Sequence, residues 1–268
     1  MTPPSRSALR THLIASRIAG DVATTRQANL ENFARMSRRE PLYLFGLEPT
    51  GRWSFADVLE LMATRCGVSP DPDQRAGADT ISADRTLDRL DAMAARIAAA
   101  ASRRERVFVA TGHPHGLRPV HTAVAAALAA AGCTLLTPAE GWRHPAGPYG
   151  GEGHKIKYVD RVGVLAGTLG LHHTHSPEPM RAVLAALAGA GESPPDLVLA
   201  DHGWAGAAGQ AGIDAVGFAD CNDPALFVGE AEDRVLVSVP LDDNVAPHLY
   251  GPMTDYLLDR AELTQQRA

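Results

Sequence analysis

Arg106-Val-Phe-Val-Ala-Thr111-Gly-His-Pro-His-Gly116 passes abruptly from an apolar run to a loop of glycine and histidine. A continuous apolar run is what a strand needs when both faces of its sheet are covered. Residues 118–131 then read as a helix, and Cys133 to Thr137 as a second strand. Such a β–α–β unit requires a right-handed crossover and hence parallel strands. Working outward, the same signature recurs at 196–200, 214–219 and 234–239, with shorter runs near 162–165 and 168–171. Helices are expected over 177–190 and 252–263. The predicted class is therefore α/β, a mainly parallel sheet with helices on both faces. Val107, Val109, Leu135, Leu197, Leu199, Val216 and Val237 are the expected core.

Upstream, residues 1–104 read as a helical N-terminal flank with one strand. Thr25 caps a helix running to about Arg38, and Tyr43 to Leu47 is apolar and of strand length. Ser54-Phe-Ala-Asp57 resembles a capping box and opens a helix to Cys66. Residues 67–80 are rich in Pro, Asp and Gly and read as a loop. Ser82 begins a long helix, with Leu87, Leu90, Met93, Ala94 and Ile97 at helical spacing. No linker divides the chain, so one domain over 1–268 is expected, with 1–104 packed on a sheet core of 105–268. Residues 138–155 form a long glycine-containing loop, a candidate lid or insertion.

The chain has 268 residues, 45% of them hydrophobic and 21% charged, with a net charge of −6. That balance is globular, and no basic stretch interleaved with aromatics suggests a nucleic-acid partner. Apolar runs are too short to span a bilayer, and no signal-peptide layout opens the chain. Cys66, Cys133 and Cys221 are too few and too scattered for a disulfide framework, which fits a reducing cytoplasm. Self-association is left open.

Histidine is the unusual residue, at eleven. Gly112-His113-Pro114-His115-Gly116 with His121, His172-His173-Thr174-His175-Ser176, Asp201-His202-Gly203-Trp204-Ala205-Gly206 and Asp220-Cys221-Asn222-Asp223 each follow a predicted strand. Asp242-Asp243-Asn244 follows the last one. Ligands of open α/β sheets bind outside the carboxyl ends of the strands, so these loops are expected to converge. His113, His175 and His202 are the candidates for moving protons, since imidazole titrates near neutrality. Asp201, Asp220 and Asp242 are the candidate metal ligands, suited to Mg²⁺ or Mn²⁺. Of the adjacent pair Asp242 and Asp243, at most one is expected to point inward.

Backbone amides near Gly203 and Gly206, and the helix start at Ser176-Pro177, can hold an anion. Arg17 and Arg26 can clamp a phosphate or carboxylate from the N-terminal helices. The bland alternatives are a capping role for Ser176, a tight packing turn at Gly203 and surface salt bridges for the arginines.

The runs RIAGDVATTRQANL, ATGHPHGL, HTHSPEPM, ADHGWAGAAGQAGIDAVGFADCNDPALFVGEAE and VPLDDNV resemble a bacterial family, common in actinobacteria and described as phosphatases. The likeness spans nearly the whole chain. A looser one, over Ala110-Thr-Gly112 to Gly132, is to D-glutamate cyclase-like domains, whose acidic-Gly-Gly-Asn-Glu pattern is absent here. The resemblance implies a phosphatase. Together with the loop chemistry it yields the expectation of a metal-assisted phosphatase, a phosphoric monoester hydrolase acting on a small phosphorylated metabolite. The rivals are a lyase, cyclase or hydratase acting on a small carboxylic acid, and a non-enzymatic ligand-binding protein.

Overall fold

The computed structural model describes residues 2–146 and 153–264. In chain order the first elements are α1 (Arg6–Ala15), β1 (Gly20–Thr25), α2 (Arg26–Ser37), α3 (Phe55–Arg65), β2 (Ala78–Ile81) and α4 (Ala83–Arg103). Next come β3 (Arg106–Val109), α5 (Arg118–Ala130), β4 (Thr134–Leu135), β5 (Lys155–Val159), β6 (Val162–Gly167) and β7 (Gly170–His172). The chain closes with α6 (Glu178–Gly189), β8 (Leu197–Asp201), α7 (His202–Gln210), β9 (Asp214–Ala219), α8 (Ala225–Ala231), β10 (Val237–Pro240) and α9 (Gly251–Arg260).

Five strands form a parallel sheet in the order β10-β9-β8-β3-β4. The chain runs outward from β3 to β4, then restarts at β8 on the other side of β3. The strand order therefore reverses between β3 and β8, the topological switch point at which open α/β sheets bind ligands. Helix α4 packs on β10 and α9, while α7 packs on β8 and β9 with α6 and α8 beside it. The sheet is thus covered by helices on both faces, which explains why β8 is buried from end to end.

Local chemistry sets several element starts. Thr25 accepts from the Ala28 amide, Ser82 from Arg85, and Ser54 with Asp57 forms a complete capping box. Buried apolar side chains from Leu9 to Ala261 form one contiguous cluster.

Some sequence expectations need correction. Residues 43–47 are not a strand: a short 3-10 helix over Pro41–Tyr43 runs into a turn in which Phe45 (φ 53°) and Gly46 (φ 83°) enter the left-handed region. The N-terminal part is not helical with a single strand. β1 and β2 pair as an antiparallel ribbon, and β2 begins inside the stretch 67–80 expected to be loop and ends one residue past it. Strand 133–137 shrinks to two residues at the sheet edge, so Leu135 is only half-buried while Leu136 is buried. The other expected core residues are all buried. Strands β5, β6 and β7 form a separate antiparallel sheet. It docks where the Thr111 amide donates to the Gly163 carbonyl (3.0 Å), just past β3. Of the expected lid, 147–152 lie outside the described residues; its first part is tied to β5 by Gly141 N–H donating to the Ile156 carbonyl, and to the residue before β5 by His144 N–H donating to the His154 carbonyl.

Candidate active site

The carboxyl ends of β3, β8, β9 and β10 surround one cavity of about 280 Å³. His113 enters after β3, His202 after β8, Asp220 and Asp223 after β9, and Asp243 after β10. His173 and His175 line it as well. They arrive from β7 of the antiparallel sheet, so their convergence does not come from the shared edge of the parallel strands. Their loop is instead tied in by Thr174 N–H donating to the Gly112 carbonyl (2.9 Å). Gly112 permits this approach, because a Cβ there would clash with the Thr174 carbonyl. Gly116 has the same role toward the Asp243 carbonyl. A larger cavity of about 390 Å³, lined by Arg65, Arg89 and Asp214, lies at the opposite, amino end of β9.

His202 is the hinge of the cavity. It leaves β8 with φ 48°, a conformation costly for a residue with a Cβ. Such outliers persist where surrounding contacts enforce them. Here its Nδ1 meets Asp201 Oδ1 at 2.8 Å, so Nδ1 carries a proton in either charge state of the ring. Nε2 then faces Asp223 Oδ2 at 3.4 Å and Asp243 Oδ2 at 3.6 Å. Burial disfavours charge on His202, but the Asp201 and Asp223 carboxylates outweigh it and hold its pKa well above the usual value.

Asp201 is wholly buried and saturated. It accepts from Thr111 Oγ1 (2.5 Å), the Gly112 amide (2.6 Å) and His202. The charge on His202 and these hydrogen bonds overcome burial and hold the Asp201 carboxyl far below the usual carboxylate range. Asp201 therefore orients His202, and it belongs to none of the groups that can hold a metal ion.

Among the described residues, three such groups occur: His173, His175 and His202; His202, Asp223 and Asp243; and Asp220, Asp242 and Asp243. Within each, the ligand atoms lie within 4.8 Å of one another. Asp242 and Asp243 both belong to the last of these groups, but of the two only Asp243 lines the cavity; Asp242 lies beside it, its oxygens accepting from the Ala23 and Asn244 amides (3.2 and 2.9 Å). Asp223 and Asp243 were not singled out as ligands by the sequence, although both stand in acidic runs after strands. Thr24, on β1, donates to Asp220 Oδ2 (2.7 Å) and brings the N-terminal ribbon to the cavity.

Two buried polar atoms in these groups, His175 Nδ1 and Asp243 Oδ2, have no hydrogen-bond partner among the described residues. Burial, with Asp243 and Asp242 nearby, pushes the Asp220 carboxyl well above the carboxylate range. Burial likewise pushes Asp243 up to about 7, with His202 opposing. Burial and then the neighbouring His202 push His173 down to about 3 and His175 to about 4, so both rings are neutral lone-pair donors at neutral pH. His113 Nδ1 donates to the Asp243 carbonyl (2.6 Å), leaving Nε2 unprotonated. Burial and the neighbouring His202 lower its pKa.

The remaining sequence candidates lie elsewhere. Arg17 is exposed and donates to the Asp21 and Val22 carbonyls (3.1 and 2.9 Å). Arg26 is fully buried, paired with Asp79 (3.0 Å) and bonded to the Gln74 and Asp71 carbonyls. Neither guanidinium lines the cavity. Gly203 and Gly206 sit inside α7, where a Cβ would strike the Ser176 and Phe45 backbones; they permit close packing rather than cradling an anion. Ser176 Oγ meets His144 Nε2 (2.7 Å) and accepts from the Glu178 amide (3.2 Å), so it is a buried capping group. His121 is buried against Phe218, and His115 is exposed.

Comparison with known proteins now bears on this geometry. A model of the family described as Phosphatase matches residues 4–265. The chain belongs to the Phosphatase family. It is also 49% identical over 262 residues to a protein named "Phosphatase SCO2771" from Streptomyces coelicolor, with 97% of each chain covered. The Phosphatase model thus spans every loop that lines the cavity. Among the described residues, no helix is long and apolar enough to cross a membrane.

Proposed function

We propose that this chain is a divalent-cation-assisted phosphatase that hydrolyses the monoester of a small phosphorylated metabolite. The observation that carries this reading is the composition of the cavity. Imidazoles and carboxylates converge there, yet no Lys or Arg is among the described residues lining it. A phosphate monoester brings close to two negative charges at neutral pH. Against Asp220, Asp223 and Asp243 the lining sets the protonated His202, so such a substrate calls for further positive charge. The donor set fits a divalent cation, since neutral imidazoles and oxygen ligands suit Mn²⁺, Zn²⁺ or Mg²⁺. A bound divalent cation supplies charge neutralisation and Lewis acidity toward a phosphoryl oxygen.

The chain's own groups have separable tasks. His173, His175 and His202 on one side, and Asp220, Asp242 and Asp243 on the other, are the groups that would hold a cation, with His202 giving up its Nε2 proton to do so. Asp201 fixes the tautomer of His202. His113 belongs to none of the metal-capable groups and keeps Nε2 free, so it is the group that moves protons. It takes a proton from the attacking water and returns it to the alcohol oxygen as the P–O bond breaks. Asn222 and Asn244 offer neutral amides to the rest of the substrate. A cavity of about 280 Å³ suits a small metabolite rather than a macromolecular chain.

The test is phosphate release from an aryl phosphate and a panel of phosphorylated metabolites. Release should need Mg²⁺ or Mn²⁺, stop with a chelator and return on adding the ion back. Absence of release with every divalent ion across the panel overturns the reading. Thermal protection by carboxylic acids rather than by phosphates would instead favour the lyase, cyclase or hydratase reading.

A further inference from the structure

We infer that the cavity holds two divalent cations in adjacent sites of unlike chemistry, an imidazole site at His173, His175 and His202 and a carboxylate site at Asp220, Asp242 and Asp243. This rests on the phosphatase reading only for the use of the cations, not for their binding.

Three observations carry it. The first is the separation of donor types. The imidazole group and the carboxylate group share no residue, so one ion cannot use both sets fully. The third group, His202 with Asp223 and Asp243, joins them, and His202 Nε2 stands 3.6 Å from Asp243 Oδ2. The two sites therefore touch, with Asp223 and Asp243 between them. A carboxylate has two oxygens and can serve two ions, which suits Asp243 to the bridging position.

The second observation is the partnerless atoms, one in each site. His175 belongs to the imidazole group and Asp243 to the carboxylate group, and Nδ1 of the one and Oδ2 of the other are buried without a hydrogen-bond partner among the described residues. Buried polar atoms are normally satisfied, so an orphan on each side calls for a ligand on each side. Asp243 is only 6% exposed, which excludes bulk water as its routine partner.

The third is charge. Asp220, Asp223, Asp242 and Asp243 gather four carboxylates in and under a cavity that no Lys or Arg among the described residues lines. With all four ionised and His202 deprotonated to serve as a ligand, one divalent ion offsets half of that charge. It leaves a negative cavity that repels a phosphate. A second ion brings the site to neutrality before substrate enters. Paired ions about 3.5–4 Å apart recur in phosphatases because they hold the attacking and leaving oxygens of one displacement together.

The donor sets also predict selectivity. Imidazoles favour borderline ions such as Zn²⁺ or Co²⁺, whereas an all-carboxylate site favours Mg²⁺ or Mn²⁺. The experiment strips the protein with chelator, titrates it with Mn²⁺, and counts bound ion by calorimetry and elemental analysis. Electron paramagnetic resonance then looks for an exchange-coupled Mn²⁺ pair. Two ions per chain with a coupled signal are expected. His175→Ala and Asp242→Asn should each reduce the count to one and abolish the coupling, with circular dichroism confirming the fold. A single ion per chain in the wild-type protein overturns the pair, even if phosphatase activity is found. Two coupled ions with no phosphate release uphold the pair and overturn the phosphatase reading instead.

Discussion

Asp201 Oδ1 and His202 Nδ1 meet at 2.8 Å although the two residues are chain neighbours, and this contact turns His202 Nε2 toward Asp223 and Asp243. Neighbouring side chains on a strand point to opposite faces. The left-handed backbone of His202 is what allows the pair to cooperate. Asp201→Asn keeps the shape but removes the negative charge and turns one of the two acceptor oxygens into an NH₂ donor, so Thr111, Gly112 and His202 can no longer all be satisfied. Partners that orient a metal-ligating histidine are typically worth about 10–100-fold in affinity or activity. Metal affinity should fall by that order. Nitrogen NMR of His202 should show a changed tautomer. Unaltered affinity and an unaltered tautomer would count against the orienting role.

His113 is predicted to matter for rate rather than for metal. His113→Asn should lower kcat by about 10²–10⁴-fold, the range for loss of a general acid or base. The number of bound ions should stay unchanged, because His113 is in none of the ligand groups. Loss of an ion in this variant would reassign it as a ligand.

Gly203→Ala and Gly206→Ala test whether these glycines serve packing or substrate. A Cβ at either would press on the Ser176 or Phe45 backbone. Overpacking of this kind costs about 1–3 kcal/mol or more, and for a chain of this size each kcal/mol lowers Tm by about 2–4 °C. Calorimetry should show the loss. A raised KM with unchanged Tm would restore the anion-cradle reading.

Arg26 should behave as a structural cation. Its buried pair with Asp79 leaves an unpaired carboxylate when Arg26→Ala is made. Breaking a buried pair costs about 3–5 kcal/mol. Urea unfolding should show that cost, while the residual folded enzyme keeps its KM. A selective rise in KM at full stability contradicts this assignment.

The metal-free protein should lose stability as pH rises above about 6.5. Burial raises Asp220 well above the carboxylate range and Asp243 to about 7, so the folded state retains protons that the unfolded chain releases from about pH 4 upward. His173 and His175, held down to about 3 and about 4, have the opposite sign: the unfolded chain protonates them below about pH 6.5, so they add stability as pH rises toward that value and offset the two carboxylates there. The lowered His113, His121 and His172 act in the same direction. Above about pH 6.5 these imidazoles no longer titrate in the unfolded chain, and the raised His202 joins the raised carboxylates, each costing up to about 1.4 kcal/mol per pH unit while it stays protonated. The lowered Asp201 and Asp223 lose their contribution only as pH falls below about 4. Thermal scans with chelator should show Tm falling from about pH 6.5 to about pH 8. Added Mn²⁺ should remove most of the decline. A metal-free Tm that climbs over this range contradicts the raised His202 and the burial of these carboxylates.

Local pattern was enough for much of this protein. The apolar runs at Val107, Leu197, Val216 and Val237 state their burial in the residues themselves, because a strand covered on both faces leaves no polar alternation. The caps at Thr25, Ser54 and Ser82 are equally local, since each hydroxyl bonds an amide three residues on. The parallel sheet with His and Asp after successive strands followed from these signals. What a side chain does with its polar atoms did not. Arg26, Asp201 and Ser176 look like site residues in the sequence, yet their atoms are taken by Asp79, by Thr111 and Gly112, and by His144 and Glu178. Those partners come from distant segments, which no local pattern names. Conversely, Asp223 and Asp243 gained their place only because His202 and His113 arrive from β8 and β3 to meet them. A hydrogen bond or a metal group forms between whatever surfaces the packing brings together. The sequence alone therefore determined the strands, the caps and the sheet edge where chemistry gathers, and the tertiary structure alone decided which of the gathered groups remain free to act.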